Sequence, residues 1–284
     1  MERNTAATTP TRTPCARRRR KRACGLALAV GATLSLAPPA DAGPTAREIM
    51  QKVDARDDGD QSTALLEMIL IDGRGFERRR SILHLTKDYG EDTREIIFFL
   101  SPADVQDTAF LTYDYRSAEQ DDDQWLYVPA LKRTRRIASA DQSRSFVGSD
   151  FSYADLTRLP LERYDFELMQ ETDVRGHAAW QIQATPKGDE EVDRTGSFRA
   201  VYFVRKDNYV VVRAASWLRG KKVKYLDVKE LEQVDGIWVR TEMHMTTKRG
   251  DEMLHKTILR TSRISFDESH PDSTFTTRQL EKGP

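Results

Sequence analysis

Cysteine is almost absent from this sequence of 284 residues, which contains only Cys15 and Cys24. No cysteine follows residue 24, so residues 43–284 have no disulfide framework, no thiol nucleophile and no thiolate metal site. Stability there must come from packing. Because 38% of the residues are hydrophobic, the chain has enough apolar material for one sizeable core.

Other signals of catalysis and cofactor binding are also missing. The sequence contains no H-x-x-x-H or H-x-H pair, no G-x-S-x-G elbow and no glycine-rich phosphate loop. Three consecutive aspartates at 121–123 lack the glycine and distal glutamate of a calcium loop. We therefore predict no catalytic, metal-binding or cofactor-binding residues, although an active site assembled from distant residues stays open. The five histidines are scattered, at His84, His177, His244, His255 and His270.

The net charge of zero conceals two unlike segments. Residues 1–42 are strongly basic, with a run of six basic side chains at 17–22, and the rest of the chain is acidic. An uncharged stretch at 23–37 and an A-x-A site ending at Ala42 follow the basic run, in the order typical of a secretory signal. Fifteen residues rise only about 22 Å as a helix, less than the bilayer core. We predict a signal peptide at 1–42, cleaved after Ala42, and one domain at 43–284.

Hydrophobic periodicity predicts a mainly β domain with an N-terminal helix. Residues 44–56 carry the i, i+3, i+4, i+7 stripe of an amphipathic helix. From residue 65 onward the period is two, and turn signals separate the segments without intervening helices, which is typical of antiparallel hairpins. The predicted strands are 65–72, 78–87, 94–100, 108–115, 124–128, 133–138, 164–170, 179–185, 198–205, 209–218, 224–233, 237–246, 253–265 and a short 273–277.

So many strands exceed what a flat sheet carries comfortably, so we expect a strongly curved antiparallel sheet that wraps the helix. The alternation is clearest in one predicted strand, where four apolar side chains share one face and three polar ones share the other. The frequent charges of 221–232 argue against strands that face lipid. The apolar set is Ile237, Val239, Met243 and Met245, and the polar set is Arg240, Glu242 and His244.

The most distinctive stretch is D-Q-W-L-Y-V-P-A-L-K-R-T-R-R-I at 123–137, followed by F-V-G-S-D-F-S-Y-A-D at 146–155. It resembles the signature of the bacterial outer-membrane lipoprotein-sorting proteins, relatives of the LolA and LolB carriers. Looser matches in family order include Trp180 and the closing Phe275 and Leu280, so the resemblance covers nearly all of 43–284. Thr134 departs from the pattern, since an apolar residue is more usual there.

This resemblance implies a periplasmic protein with an open half-barrel sheet around an apolar cavity. It also implies a non-enzymatic carrier of lipid or lipoprotein, without cofactors, working beside an RND-type (MMPL) exporter and touching membranes only transiently. An exported protein has no nucleic acid to bind. Two alternatives stay open: a periplasmic adaptor of an inner-membrane exporter that carries no cargo, and an envelope enzyme that modifies lipid.

Two groups of residues are candidate contacts. The cavity or its mouth is predicted to include Trp125, Tyr127, Phe146, Phe151, Tyr153, Met243 and Met245. The aromatic residues could equally pack a loop that closes the barrel edge, with an ion pair between Arg135 and Asp150, and the methionines could be ordinary core. The basic strip of Lys132, Arg133, Arg135 and Arg136 is predicted to contact a partner or lipid headgroups, or to protect an edge strand from association.

Overall fold

Alternating apolar and polar residues pair into a single antiparallel sheet of 13 strands in the computed structural model, which describes residues 43–284. The predicted signal peptide lies outside the described residues. Neighbouring strands are mostly consecutive in the chain, as the predicted hairpins require. The strands are β1 (Gln61–Asp72), β2 (Glu77–Tyr89), β3 (Asp92–Ser101), β4 (Ala109–Asp114), β5 (Asp123–Val128), β6 (Arg133–Ile137), β7 (Tyr164–Val174), β8 (His177–Pro186), β9 (Ser197–Arg205), β10 (Val211–Leu218), β11 (Lys222–Val234), β12 (Ile237–Arg249) and β13 (Glu252–Ser265).

The sheet order is β6-β5-β4-β3-β2-β1-β13-β12-β11-β10-β9-β8-β7. The first and last strands of the chain therefore meet in the middle of the sheet, where β1 pairs with β13. The two edge strands, β6 and β7, are consecutive in the chain. Their connection, residues 138–163, must consequently cross the sheet from one edge to the other.

Within residues 43–284, three α-helices accompany the sheet: α1 (Ala46–Asp54), α2 (Asp189–Thr195) and α3 (Thr277–Lys282). A capping box begins α1, because the backbone N–H of Glu48 donates to the Thr45 hydroxyl and the N–H of Thr45 donates to the Glu48 carboxylate. The buried side of α1 packs on Trp180, Ile182 and Val204 of β8 and β9.

Two expectations about the elements are wrong. Helix α2 interrupts the β region, and the segment predicted as strand 273–277 is a 3₁₀ turn, Asp272–Thr274, leading into α3. A five-residue window with one large apolar residue does not distinguish a strand from a helix start. The choice is made by packing, since Phe275 and Leu280 are fully buried against β3 and β4.

Apolar clusters cover both faces of the sheet. On one face, here called the cavity face, β1 to β4 pack against the connection 138–163 through a cluster that includes Ile82, Phe99, Phe110, Phe146 and Tyr153. On the opposite face, α3 packs on β2 to β5. The alternation along β3 shows the division, because Ile97 and Phe99 belong to the first cluster and Ile96 and Phe98 to the second.

Candidate functional site

Residues 143–156, here called the crossing segment, contain the most distinctive motif and lie on the cavity face. The segment folds back on itself, since the backbone N–H of Phe146 donates to the carbonyl of Phe151 over 2.7 Å. Val147 and Gly148 both adopt positive φ, at 47° and 76°. Glycine tolerates this region easily and valine does not, so the surrounding contacts must hold the turn in place.

Asp150 attaches the crossing segment to β12 and β13. Its carboxylate, only 2% exposed, accepts hydrogen bonds from the hydroxyls of Thr247 at 2.6 Å and Thr257 at 2.8 Å. Nδ1 of His255 contacts the same carboxylate. The predicted ion pair with Arg135 is therefore wrong, because the segment crosses to the middle of the sheet and Arg135 lies on the edge strand β6.

Three further anchors hold the crossing segment to other strands. Nζ of Lys224 on β11 contacts the Asp155 carboxylate. From β2, Nη1 of Arg80 donates to the carbonyl of Val147 over 2.7 Å, and from β5 the amide of Gln124 donates to the carbonyl of Tyr153 over 2.9 Å. Strands far apart in the sheet are thus joined by one segment.

The aromatic residues of the crossing segment pack together. The Phe146 ring lies 5.1 Å from that of Phe110 and 5.8 Å from that of Tyr153, both edge to face. Phe151 is buried in the same cluster. These rings close one end of a cavity and are at the same time part of the core.

The cavity occupies the cavity face between the crossing segment and seven adjacent strands, from β4 through β3, β2, β1, β13 and β12 to β11. Its volume is about 520 Å³, within the range of small-molecule and cofactor sites. Phe146, Phe151, Met243 and Met245 line it together, whereas Tyr153 lies behind them in the cluster. The apolar lining is completed by Ala64, Leu66, Met68, Ile82, Ile97, Leu156, Leu226, Ile237, Trp238, Val239, Leu259, Ile264 and Phe266.

Polarity changes along the cavity. The wall formed by β1 to β3 is apolar near the crossing segment, at Leu66, Met68 and Ile82. Toward the other end it becomes polar. There Nε2 of His84 lies 3.1 Å from the Glu95 carboxylate, and Ser62 and Thr86 lie farther along. The cavity is therefore amphipathic along its length.

At the polar end, the cavity meets a second one of about 500 Å³ that extends toward α1 and Tyr209. Five charged residues line both cavities, and we call them the collar: Arg56, Asp58, Asp88, Arg158 and Arg240. Desolvation raises the pKa of both collar carboxyls above the ordinary aspartate value. Beside the collar, burial raises the pKa of Asp114, which accepts the backbone N–H of Arg158 over 2.8 Å, to about 8.

Arg240 lines the cavity together with Met243 and Met245, although strict alternation would put it on the opposite face. The register explains the difference. Between the pairs Glu230–Glu242 and Glu232–Val239, β12 advances three residues while β11 advances two. An extra residue of this kind is a β-bulge; Arg240 is one of the two β12 residues within it, and a bulge re-aims the side chains that it contains.

Trp125 and Tyr127 lie on the opposite face. They pack with Tyr113 against the buried Phe275 and Leu280 of the C-terminal segment. The Trp125 ring is 5.0 Å from that of Tyr113, and the Tyr113 hydroxyl donates to the carbonyl of Phe275 over 2.7 Å. The structure thus separates these two rings from Phe146, Phe151 and Tyr153, and brings together two motifs that are about 150 residues apart in sequence.

The basic strip lies at the exposed edge of the sheet. Lys132, Arg133, Arg135 and Arg136 are all exposed, on or just before β6. Nε of Arg136 donates to the Asp123 carboxylate over 2.8 Å, so the charge of Arg136 is already paired. The strip does not touch the cavity, whose basic residues are those of the collar.

Sequence reasoning missed the collar because its members come from separate regions: the loop after α1, the end of β2, the connection 138–163 and the start of β12. The crossing of the sheet brings Arg158 to the collar, and Arg240 lies in the bulge of β12. Within residues 43–284, no group of three or more His, Cys, Asp or Glu side chains is arranged to hold a metal ion. The helices of this described part are all too short or too polar to cross a bilayer.

Comparisons with known proteins match nearly all of the described part. A family model described as "Uncharacterized protein" matches residues 91–282. A DUF1329 family protein from Desulfovibrio piger is 31% identical, with a TM-score of 0.75, over 83% of this chain and 97% of that one. An outer membrane lipoprotein-sorting protein domain from Vibrio parahaemolyticus is 29% identical, also at 0.75, over 83% and 98%. The resemblance seen in the sequence is confirmed.

A more distant structure, a LolA superfamily protein from Nitrosomonas europaea, is 16% identical, with a TM-score of 0.62 over 83% of this chain and 99% of that one. At this identity the similarity shows a common fold alone. No curated protein matches the chain.

Proposed function

The chain belongs to the DUF1329 family, and we propose that it carries lipid, or the acyl chains of lipoproteins, in the 520 Å³ cavity. The observation that carries this proposal is the amphipathic cavity, which has an apolar end closed by the crossing segment and a charged collar at the other end. An acyl chain gains about 0.8 kcal/mol for each CH₂ buried. A protein with such a cavity lowers the cost of moving a lipid through water without any reaction.

The same proposal includes the shape of the sheet. Side chains from seven adjacent strands line one cavity, and a flat sheet would spread them over about 29 Å at the usual strand spacing. We take the sheet to be strongly curved, an open half-barrel. Met243 and Met245 suit a lining that must accept and release cargo, because methionine is flexible and polarizable.

We place the protein in the periplasm, after export and cleavage behind Ala42. This rests on the basic run, the apolar stretch and the A-x-A site of residues 1–42. Intact mass measurement of protein recovered from the periplasm should give a chain that begins at Gly43. A chain that keeps residues 1–42 would overturn this placement.

Native mass spectrometry tests the carrier function. The chain is exported, purified without detergent and weighed, and we expect an added mass in the range of a lipid that is lost on denaturation. Met243→Trp, which fills the cavity, should lower the bound fraction severalfold. Met169→Trp is the matched control, because Met169 is 43% exposed on the edge strand β7. Equal loading of both variants would refute binding in this cavity.

A second candidate is an adaptor that docks on an inner-membrane exporter of the RND (MMPL) type through the basic strip. The exposure of Lys132, Arg133 and Arg135 at the sheet edge favours it. Charge reversal at Arg133 and Arg135 should abolish exporter binding in a pull-down and leave lipid loading intact. Unchanged binding by the reversed variant would exclude this role for the strip.

A further inference from the structure

Two of the three collar arginines, Arg56 and Arg240, form no ion pair with a carboxylate within residues 43–284, whereas Nε of Arg158 lies 4.0 Å from the Asp114 carboxylate. Nη1 of Arg56 donates to two backbone carbonyls, of Asp57 at 2.9 Å and Trp238 at 3.0 Å. Arg158 donates to the carbonyl of Glu91 over 2.9 Å and to the Thr93 hydroxyl. Backbone carbonyls orient a guanidinium without neutralising it, so the positive charge remains available to a ligand.

Arg240 is placed in the collar by the bulge in β12. Within residues 43–284 it has no hydrogen bond or ion pair to another side chain, yet it lines both cavities. A bulge interrupts a ladder of hydrogen bonds, and bulges are concentrated where a side chain must be re-aimed toward a functional site. A ligand that Arg240 binds at the junction of the two cavities would explain why the ladder of hydrogen bonds is interrupted here.

The two collar carboxyls, Asp58 and Asp88, carry the opposite charge and also lack an ion-pair partner within the described part of the chain. Asp88 accepts a hydrogen bond from the Thr93 hydroxyl over 2.9 Å. Desolvation raises the pKa of each, and repulsion from neighbouring carboxylates adds to it: from Asp88 for Asp58, and from Asp60 and Glu95 for Asp88. A cation bound between them would relieve both effects.

We propose that the collar binds the headgroup of a zwitterionic phospholipid, with the phosphate on Arg56 and Arg240 and the ammonium group on Asp58 and Asp88. The inference rests on the proposed function, because the acyl chain of the same lipid occupies the apolar end of the cavity. A purely anionic lipid satisfies only the arginines and brings its phosphate beside two carboxylates. The collar therefore selects against an anionic lipid in two ways: Asp58 and Asp88 repel its phosphate, and it offers them no ammonium group to bind.

The experiment compares four soluble probes on the full exported chain by isothermal titration calorimetry. Lysophosphatidylethanolamine, lysophosphatidylglycerol and the free fatty acid share one acyl chain, and O-phosphoethanolamine has the headgroup alone. We expect the lysophosphatidylethanolamine to bind about tenfold more tightly than the lysophosphatidylglycerol, which corresponds to about 1.4 kcal/mol. O-phosphoethanolamine should bind far more weakly than either lysolipid, since it buries no CH₂ groups.

Two variants separate the roles within the collar. Arg240→Gln should weaken both lysolipids about tenfold and change fatty acid binding less. Asp58→Asn combined with Asp88→Asn should abolish the preference for the ethanolamine headgroup. The matched controls are Arg278→Gln, at an exposed position of α3 on the opposite face, and Asp165→Asn on β7, where the carboxylate is 77% exposed. Thermal unfolding of each variant establishes that it is folded.

The outcomes distinguish this inference from the proposed function. If no acyl probe binds, the carrier function itself fails. If all three acyl probes bind equally and the collar variants change nothing, the carrier function stands and the headgroup inference is refuted. Tighter binding of lysophosphatidylglycerol also refutes it, and tight binding of O-phosphoethanolamine alone would mean that the collar takes a soluble metabolite and not a lipid.

Discussion

The hydroxyl of Thr257 on β13 is bonded twice to Asp150 of the crossing segment. It accepts the backbone N–H of Asp150 over 2.9 Å and donates to the carboxylate of the same residue over 2.8 Å. Both residues are buried, Thr257 completely. This pair fixes the closed end of the cavity to the middle of the sheet, because β13 is the strand that joins β1 to β12.

Asp150→Ala should lower the free energy of unfolding by about 3 kcal/mol, since it leaves the hydroxyls of Thr247 and Thr257 without their acceptor in a buried site. Urea unfolding followed by circular dichroism measures the loss. Asp165→Ala, at an exposed position, should change the stability by less than about 0.5 kcal/mol. Equal values for the two variants would contradict the anchoring role of Asp150.

Glu191→Gln should also cost about 3 kcal/mol, because it leaves a buried arginine without its counter-charge. The Glu191 carboxylate accepts from Arg194 at 2.6 and 2.8 Å and from the Tyr164 hydroxyl at 2.6 Å. The side chains of Glu191 and Arg194 are 4% and 6% exposed. The matched control is Glu77→Gln, which breaks an exposed pair with Arg79 and should cost at most about 1 kcal/mol. Similar losses of stability in both variants would show that burial of the Glu191–Arg194 pair does not determine the cost.

Stability should depend on pH through Asp114. Its pKa is raised from 3.8 to about 8 in the folded chain, so between these values the folded state holds a proton that the unfolded state has released. The free energy of unfolding contributed by this group therefore falls as the pH rises from about 4 to about 8. Asp114→Asn keeps an acceptor for the Arg158 N–H and removes the titration. Chemical unfolding at several pH values should show that the free energy of unfolding of the variant rises relative to that of the wild type across this window. Parallel pH profiles would contradict the raised pKa of Asp114.

Gly59→Ala, next to the collar residue Asp58, should lower the free energy of unfolding by more than the positive φ of Gly59 alone explains. Gly59 has a φ of +87°, and an added Cβ would lie 2.5 Å from Cδ1 of Phe266. Gly75 has nearly the same φ, +85°, with nothing within 4 Å of an added Cβ. Gly75→Ala thus measures the cost of positive φ, about 1 kcal/mol. We expect Gly59→Ala to lose about 1–2 kcal/mol more in urea unfolding, and equal losses would show that Phe266 moves aside freely.

Local patterns in the sequence reveal most of the strands and the family. Period-two alternation locates β1 to β13 because each hairpin pairs residues that are near in the chain. The motif residues at 123–137 and 146–155 carry the resemblance that the comparisons confirm. The same local reasoning fails for α2 and α3, which are short segments stabilised by distant contacts, such as those of Leu280 with β3 and β4.

Sequence patterns predict only part of the candidate site. Phe146, Phe151, Met243 and Met245 are found together at one cavity, but nothing local distinguishes them from Trp125, which packs on α3 across the sheet. One position of register decides which face a residue occupies. Trp125 and Phe146 belong to the same signature and still lie on opposite faces.

The strand pattern, the absence of cysteine chemistry in residues 43–284 and the family can all be read from the sequence. What the signature does follows from the three-dimensional arrangement of the strands. Because β6 and β7 are the two edges of the sheet, the segment between them must cross one face, where it closes a cavity. The collar depends on the same long-range geometry and on a bulge in β12 that turns Arg240 toward the cavity. These contacts join residues far apart in the chain, and no local spacing encodes them.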